Sequence, residues 1–359
     1  MLSKIDKYII RKFIVTFIFI IIIFIMIAIV FDFAEKIDDF IHKQAPLKKI
    51  IFEYYFNFIP YFINLFSPLF VFISAVFFTS RMAYNTEFIA MLSAGKNYYY
   101  LLKPYFMVAA VLAGFSWTLN NYIIPKSNIK LMNFEDLYVK KPYSESRSMF
   151  HRQIKPDTYI FLRSFNENDS SGSRFTLEEF NGVKLTYKLM AQQIKWIDST
   201  KSWIATRYTI RTIDDLKETL KSGDTINLKI NLSPADFAKN SADVQIMNRT
   251  ELIHFISREK QRGDNLVTFF ELEHYKRTSL PFSTFILVLI AFSLSSRRLR
   301  GGTGLHLGLG ILIAFSYIFF MQITSVFSTR GNLNPLLSVW IPNMIFTIIG
   351  VFLVLKAPK

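Results

Sequence analysis

The residues of this chain with the greatest capacity for chemistry are its histidines, glycines and serines, and their spacing argues against catalysis. None of the five histidines is spaced with another histidine or a carboxylate in a metal-binding pattern. No Gly-x-x-x-x-Gly-Lys-Ser/Thr loop occurs, and the glycine cluster at 301–304 has no soluble strand before it. Ser67 and Ser93 lack the context of a catalytic nucleophile. We therefore predict a protein that is not an enzyme and that needs no cofactor or metal ion.

One short stretch, residues 80–96, lies between two strongly apolar runs and has the pattern of a helix. Thr86 is positioned to cap its start, and Gly95 is positioned where a helix would stop. Three apolar side chains share one face at helical spacing: Phe88, Met91 and Leu92. The pattern predicts a short amphipathic helix on a membrane surface. Such a helix can anchor in the interface, pack on its own bundle or dock into a groove of a soluble partner.

The composition is that of a membrane protein, because 51% of the residues are hydrophobic and 38 of them are phenylalanine. Cysteine is absent, so disulfides are excluded and the compartment is left undecided. A helix of about 20 apolar residues crosses a bilayer. Six runs approach that length, near residues 13–31, 55–79, 105–124, 280–294, 305–327 and 336–355. We expect an α-helical membrane protein with six transmembrane helices, the second of them interrupted by Pro60 and Pro68.

Lysine and arginine collect on one side of these runs, and this asymmetry predicts the orientation of the chain. Both termini, the 80–103 loop and the 297–304 loop carry the basic excess, with only Asp6 and Glu87 against it. We therefore expect these segments in the cytoplasm and the segment between the third and fourth runs on the opposite side. The same excess explains most of the formal charge of +15, so nucleic-acid binding is not predicted.

Charged residues are absent from the centres of the six runs, which argues against a proton-coupled transporter. A permease for a large amphiphile fits better. The lipid tails of such a molecule require an apolar wall, and its head group requires charges only at the ends of the spans. Rim charges are present: Asp32, Glu35 and Lys36 follow the first run, and Lys126 and Lys130 follow the third. These residues can bind a lipid head group, or they can serve as ordinary interfacial anchors.

Between the third and fourth runs the chain is polar, and its pattern changes to that of an all-β domain. Residues 183–189 and 226–232 alternate strictly between apolar and polar side chains, as half-buried strands do. Further strands are predicted at 159–165, 175–180, 193–197 and 203–213, with turns at 166–173, 198–202 and 222–224. A sandwich, jelly roll or open barrel is expected, followed by two helices at 250–262 and 265–278.

These patterns divide the chain into four parts. Residues 1–125 contain transmembrane helices 1–3 and the amphipathic helix near 86–94. Residues 126–248 form the β-domain and 249–279 a helical connector, and residues 280–359 contain helices 4–6. The fold class is therefore a six-helix membrane protein with an all-β, jelly-roll-like domain inserted between helices 3 and 4.

Five different short motifs follow one another along the chain. They are Ile5-Asp6-Lys7-Tyr8-Ile9 before the first run, Glu87 to Gly95 in the first cytoplasmic loop, Pro125 after the third run, Asn231-Leu232-Ser233-Pro234 after the sheet, and Gly331-Asn332-Leu333-Asn334-Pro335 before the sixth run. In this order and spacing they resemble the LptF/LptG permease family of the lipopolysaccharide exporter, and the resemblance covers the whole chain. The first and fourth motifs favour an LptG-like chain, whereas the fifth favours LptF, and we expect an LptG-like chain on balance.

The resemblance implies a multi-pass protein of the bacterial inner membrane whose insert is a periplasmic β-jelly-roll. It implies four partners: a second LptF/LptG-type permease, a cytoplasmic LptB-like ATPase dimer that hydrolyses the ATP, an LptC-like periplasmic bridge protein and lipopolysaccharide. The stretch 86–94 would be the coupling helix in the ATPase groove, with coupling residues Glu87, Phe88, Met91, Leu92 and Gly95. The lipid cavity would lie between the first and fifth helices of the two permeases, with wall residues Phe31, Tyr317 and Met321.

Two positions depart from the family pattern at the rim. Asp32 stands where an LptG-type chain carries a basic residue, and Glu135 replaces another basic residue after the third run. Head-group contacts are therefore not carried over, and this chain's own candidates are Lys36, Lys126 and Lys130. The expected function is extraction of lipopolysaccharide from the inner membrane and its transfer to a periplasmic bridge. The alternatives are a permease for another amphiphile, such as a lipoprotein, and a membrane scaffold or receptor that transports nothing.

Overall fold

The computed structural model describes residues 3–139, 147–166, 169–214, 217–228, 230, 232–234, 243–261, 266–296, 302–331 and 333–356. The arginines of the 297–304 loop, and Asn231 and Asn332 of the motifs, lie outside the described residues. The chain divides into two compact units. The membrane unit comprises Met1–Val139, Gln245–Arg249 and Glu271–Lys359, and the sheet unit comprises Lys140–Val244 and Thr250–Phe270.

The described helices include six stretches long and apolar enough to cross a membrane, which confirms the predicted number. The stretches are α1, α2 with α3, α5 with α6, α9, α10 and α11. The helix bounds are α1 Lys4–His42, α2 Leu47–Lys49, α3 Phe56–Tyr84, α4 Glu87–Ser93, α5 Tyr98–Thr118, α6 Ile124–Tyr138, α7 Asp243–Ile246, α8 Arg249–Gln261, α9 Val267–Ser295, α10 Gly302–Arg330 and α11 Pro335–Leu355. Two π-helical turns, Ile50–Tyr55 and Leu119–Ile123, join α2 to α3 and α5 to α6.

Helix α3 lies at the centre of the membrane unit, because α1 and α10 both pack against it. Pro60 and Pro68 lie inside α3 without interrupting it, so the expected break is wrong. Each proline removes one backbone N–H, but unwinding the segment would leave further backbone groups unpaired in an apolar environment. Gly310 of α10 permits a close approach to α3, since a Cβ atom there would lie 3.2 Å from the Val76 side chain.

Polar side chains within the membrane unit join neighbouring helices, as expected for polar residues in apolar runs. Ser116 of α5 donates to Asn64 Oδ1 of α3 at 2.8 Å. The hydroxyl of Tyr317 of α10 donates to Asn343 Oδ1 of α11 at 2.9 Å. These hydrogen bonds tie α3 to α5 and α10 to α11.

The third spanning helix does not end at Pro125, contrary to expectation, but continues as α6 to Tyr138. Pro125 lies in the first turn of α6, directly after the π-helical turn, where its missing N–H has little effect on helical bonding. Lys126, Lys130 and Glu135 consequently lie on one helix and not in the β-domain.

Among its described residues, the sheet unit has six antiparallel strands that pair in the order of the sequence and form an open sheet. The strands are β1 Arg147–Lys155, β2 Thr158–Asn166, β3 Ser171–Asn181, β4 Lys184–Ile197, β5 Ser202–Asp214 and β6 Lys217–Leu228. Apolar side chains that alternate along the strands form its core, among them Leu162, Phe175, Leu189 and Trp203. An all-β domain between helices 3 and 4 confirms the predicted fold class, and the open sheet is consistent with a jelly-roll-like domain.

Three details of the strand prediction differ from the structure. The stretches 183–189 and 193–197 were predicted as separate strands but lie mainly in the single strand β4. The predicted turn at 222–224 lies inside β6. Gly223 is required there for space and not for a turn, because an added Cβ atom would lie 2.7 Å from the Tyr208 hydroxyl. Strand β1 was not predicted at all.

Candidate functional site

Helix α4 is the short helix that the 80–96 stretch predicts. Gly95 has φ +79°, a left-handed conformation that favours glycine, and its N–H donates to the Leu92 carbonyl at 3.0 Å. Gly95 is therefore confirmed as the residue that ends the helix. Thr86 is wrong as a side-chain cap, because its Oγ1 donates to the Asn85 carbonyl at 2.6 Å instead of accepting from the helix.

The predicted apolar face of α4 packs into the membrane unit. Phe88 is only 1% exposed, and its ring centre lies 5.7 Å from that of Phe292 of α9 and 6.4 Å from that of Tyr98 of α5. Met91 and Leu92 pack against the same apolar core. Of the three uses open to an amphipathic helix, this face therefore serves the second, which is packing on its own bundle.

The opposite face of α4 is exposed. Ile89 is 52% exposed, and Ala90, Ser93 and Ala94 are exposed beside it. We call these four residues the outer face of α4. The sequence pattern that identified the helix did not single them out, because small and polar residues give little periodic signal. A partner that docks on α4 would meet this face and not Phe88.

Glu87, the acidic coupling candidate, is bound by two residues of α1. The Tyr8 hydroxyl donates to Glu87 Oε2 at 2.7 Å, and Lys12 Nζ lies 3.2 and 3.1 Å from the two carboxylate oxygens. The Asn85 amide lies 3.4 Å from Oε1. Burial by itself raises the pKa of Glu87, but the hydrogen bonds from Tyr8, Lys12 and Asn85 outweigh it and lower that pKa below its ordinary value. Glu87 is therefore a charged carboxylate at neutral pH.

The start of α1 is fixed by residues of the first motif. The Asp6 N–H donates to Ser3 Oγ at 3.1 Å, and the Ser3 N–H donates to Asp6 Oδ2 at 2.9 Å, which is a capping box. Tyr8 and Lys12 stand one turn apart on α1, so both reach Glu87 from the same face. The first and second motifs therefore meet in space, a contact that sequence reasoning missed.

A second ionic cluster, at the other end of α1, contains the head-group candidate Lys36. Lys36 Nζ lies 2.8 Å from Asp32 Oδ1 and 3.6 Å from Glu135 Oε1 of α6, and it contacts the Tyr54 hydroxyl. The Tyr54 hydroxyl also donates to Asp32 Oδ1 at 3.0 Å. The two residues that depart from the family pattern, Asp32 and Glu135, thus both pair with Lys36. Because Lys36 is bound by its own chain, it has little capacity left for a lipid head group.

Aromatic rings surround this second cluster. The ring centres of Phe40, Tyr54 and Phe134 lie 5.2 to 5.9 Å from one another. Phe40 belongs to α1, Tyr54 to the first π-helical turn and Phe134 to α6. The cluster therefore joins three elements through both ionic and apolar contacts.

The other two head-group candidates, Lys126 and Lys130, are exposed on α6. They stand four residues apart and so share one helix face. Within the described residues neither forms an ion pair, in contrast to Lys36. Two unpaired ammonium groups one turn apart form a surface that suits phosphate or carboxylate groups.

The three cavity-wall candidates lie in different surroundings. Phe31 of α1 is 72% exposed, as a wall residue would be. Tyr317 and Met321 are buried inside the bundle, because the Tyr317 hydroxyl is bound to Asn343 and both residues belong to the apolar core. They are therefore interior residues, and the expectation that they face a cavity does not fit this structure. The apolar residues that α10 does expose include Leu312, Phe315 and Phe319.

The architecture defines a class of protein: a multi-pass membrane protein with a large all-β insert and with no metal-binding cluster among its described residues. A family model described as lipopolysaccharide export system permease LptF/LptG matches residues 7–356. The chain therefore belongs to the LptF/LptG family and is a permease subunit of lipopolysaccharide export in the inner membrane. The family model covers both LptF and LptG. Among curated proteins no match was found.

Proposed function

We propose that this permease works in an ATP-driven complex that extracts lipopolysaccharide from the inner membrane and passes it to a periplasmic bridge. In this proposal a second LptF/LptG-type permease completes the lipid cavity, and a cytoplasmic ATPase dimer supplies the energy. The sheet unit is periplasmic. It receives the acyl chains and passes them to an LptC-like bridge protein. Both termini and α4 are cytoplasmic, in agreement with the distribution of lysine and arginine.

The observation that carries the proposal is the arrangement of α4. Its Phe88 side is fixed in the membrane unit, while its outer face is free to meet a soluble partner. Small side chains such as Ala90, Ser93 and Ala94 allow a groove to approach the helix closely, and Ile89 offers one apolar anchor. A helix that is anchored on one side and open on the other can transmit the movement of a partner to the membrane helices.

The exposed faces of α1 and α10 support the lipid route. Both helices pack on α3, and both expose large apolar side chains, including Phe19, Val30 and Phe31 of α1 and Leu312, Phe315 and Phe319 of α10. We propose that these faces form the apolar wall opposite the second permease. Lys126 and Lys130 are the proposed head-group contacts, since they remain unpaired within the described residues.

The mechanism follows from these placements. Closure of the ATPase dimer on ATP moves α4, and α4 moves the helices against which it packs. The two permease halves then narrow the shared cavity, and the apolar wall no longer accommodates the acyl chains. The expelled lipid then passes to the periplasmic bridge. The permease itself hydrolyses nothing.

Co-purification from nanodiscs tests the proposal, with Ile89→Arg as the decisive variant. The arginine places a charge on the outer face without disturbing Phe88. Val183→Arg is the matched control, because Val183 is 99% exposed in the sheet unit. We expect an ATPase to accompany the wild type and Val183→Arg, and to be lost from Ile89→Arg. If no ATPase accompanies the wild type, the non-transporting scaffold or receptor becomes the better interpretation.

Mass spectrometry of the lipid that remains bound after mild purification tests the cargo. We expect lipopolysaccharide, and we expect less of it in Lys126→Met/Lys130→Met. The paired control Lys217→Met/Lys221→Met removes two exposed lysines that lie four residues apart in β6, and it should retain the lipid. Recovery of a lipoprotein, with no lipopolysaccharide, would favour the permease for another amphiphile.

A further inference from the structure

The carboxylate of Glu87 is occupied by its own chain. Both oxygens lie within 3.2 Å of Lys12 Nζ, and Oε2 also accepts from the Tyr8 hydroxyl at 2.7 Å. Lys12 Nζ further lies 4.4 Å from the centre of the Tyr8 ring, which fixes the lysine over the tyrosine. Three groups from two helices thus form one hydrogen-bonded cluster.

This cluster joins α4 to α1, whereas the ring contacts of α4 lead to other helices. Phe88 packs on Tyr98 of α5 and on Phe292 of α9, whereas the Glu87 contacts lead to α1. Hydrogen bonds to an ionised carboxylate are shorter and more directional than those between neutral groups, so they fix the relative position of the two helices. A displacement of α4 is therefore transmitted to the start of α1.

We propose that Glu87 is a positioning residue that joins α4 to α1, and that its partner is Lys12 of the same chain and not a cation of the cytoplasmic partner. This inference rests on the proposed function of α4 as the docking helix. A docking ATPase then binds the outer face, while Glu87 directs the resulting movement into α1. Because α1 carries Phe19, Val30 and Phe31 on its exposed side, that movement changes the proposed lipid wall.

The contact between Glu87 and Lys12 is the joint between α4 and α1. Exchanging the charges of these two residues in the purified permease tests the joint without any partner protein. We expect Glu87→Lys and Lys12→Glu each to lower the melting temperature, and the double variant Glu87→Lys/Lys12→Glu to recover most of the loss. The control Glu87→Lys/Arg11→Glu introduces the same charges, but Arg11 is exposed and forms no ion pair with Glu87, so it should not recover. The milder variants Glu87→Gln and Lys12→Met repeat the cycle if a charge reversal prevents folding.

The two single charge reversals, the exchanged pair and the Arg11 control, measured in the complex, test whether the Glu87–Lys12 contact couples α4 to α1. We expect the ATPase to co-purify with each of them, and lipopolysaccharide-stimulated ATP hydrolysis to fall several-fold in the single variants and to return in the exchanged pair. If the exchanged pair remains as defective as Glu87→Lys, the essential partner of Glu87 lies on another protein and the inference is wrong. Absence of the ATPase from the wild type would refute the proposed function, and the melting-temperature cycle would still decide whether the joint exists.

Discussion

The two ends of helix α1 are both held by a lysine, but in different ways. At the first end Lys12 pairs with Glu87, which is 75 residues away in sequence and belongs to a short surface helix. At the second end Lys36 pairs with Asp32 of the preceding helical turn and with Glu135 of α6. The first pair is 34% and 26% exposed, whereas Lys36 and Asp32 are 20% and 14% exposed.

This difference indicates which end is built to move. Aromatic rings of three elements surround the Lys36 cluster, so its ionic contacts and its packing reinforce each other. The Lys12 pair is more open to water than the Lys36 pair, and its contribution to stability is correspondingly weaker. We expect the Lys36 end to serve as a fixed point and the Lys12 end to follow α4.

The largest effect is expected from Phe88→Ala, which removes the apolar anchor of α4. Truncation of a fully buried phenylalanine costs about 3–5 kcal/mol, because a cavity is left behind. We expect a marked decrease in the melting temperature in detergent and loss of lipid-stimulated ATP hydrolysis in the complex. Ile89→Ala is the control one residue away, and it should leave stability nearly unchanged. Equal stability of the two variants would show that α4 does not pack as described.

The next largest loss of stability is expected from Lys36→Met, at the end of α1 that serves as the fixed point. Lys36→Met leaves Asp32 and Glu135 without their common counter-charge in partly buried positions. Breaking a fully buried pair costs about 3–5 kcal/mol, and partial exposure reduces this to about 2 kcal/mol. Thermal unfolding should show the loss, while Lys126→Met, an exposed lysine of α6, should show none. A stability of Lys36→Met equal to that of the wild type would remove the distinction between the two ends.

A smaller effect on stability is expected from Lys12→Met. The pair with Glu87 is about one third exposed on the lysine side, so its loss should cost less than about 1 kcal/mol. Transport coupling should nevertheless fall, because the joint to α1 is broken. Thermal unfolding and lipid-stimulated ATP hydrolysis, measured on the same preparation, separate the two quantities. A larger stability loss than that of Lys36→Met would invert the comparison.

The smallest change in stability is expected from lowering the pH, which protonates the Glu87 carboxylate. The pKa of Glu87 is lowered in the folded chain, so its stabilising contribution is present above the ordinary value of 4.5 and is lost as pH falls through the lowered value. The difference in melting temperature between the wild type and Glu87→Gln should be constant from neutral pH to near 4.5 and should decrease as pH falls further, through the lowered pKa. A difference that already vanishes near neutral pH would place the pKa of Glu87 above its ordinary value.

The sequence predicted the elements of the candidate site better than their contacts. The spacing of Phe88, Met91 and Leu92 and the position of Gly95 identified α4, because both signals are local. Local periodicity reveals that a face is apolar, but not which neighbour covers it. Only the resemblance to the permease family assigned this face to a partner. The pairing of Glu87 with Lys12 spans 75 residues and leaves no local trace.

The same limit applies to the fold. Six spans and an all-β insert follow from apolar runs and from alternation, which are physical consequences of burial. Glycine is typical of turns, yet Gly223 lies inside β6. A glycine is needed there because the Tyr208 ring occupies the space that a side chain would take. Asp32 and Glu135 were recognised as departures from the family pattern, but only the structure shows that they share Lys36.

The central claim is that α4 and the start of α1 move as one body, and a distance measurement tests it most directly. The chain contains no cysteine, so spin labels can be placed at Ser93→Cys and Arg11→Cys, two exposed positions, without other changes. In the reconstituted complex we predict the same distance distribution with and without bound ATP, and a broader one when Glu87→Gln is added. A shift of the distance on ATP binding in the otherwise wild-type chain would show that α4 moves away from α1, and would contradict the account.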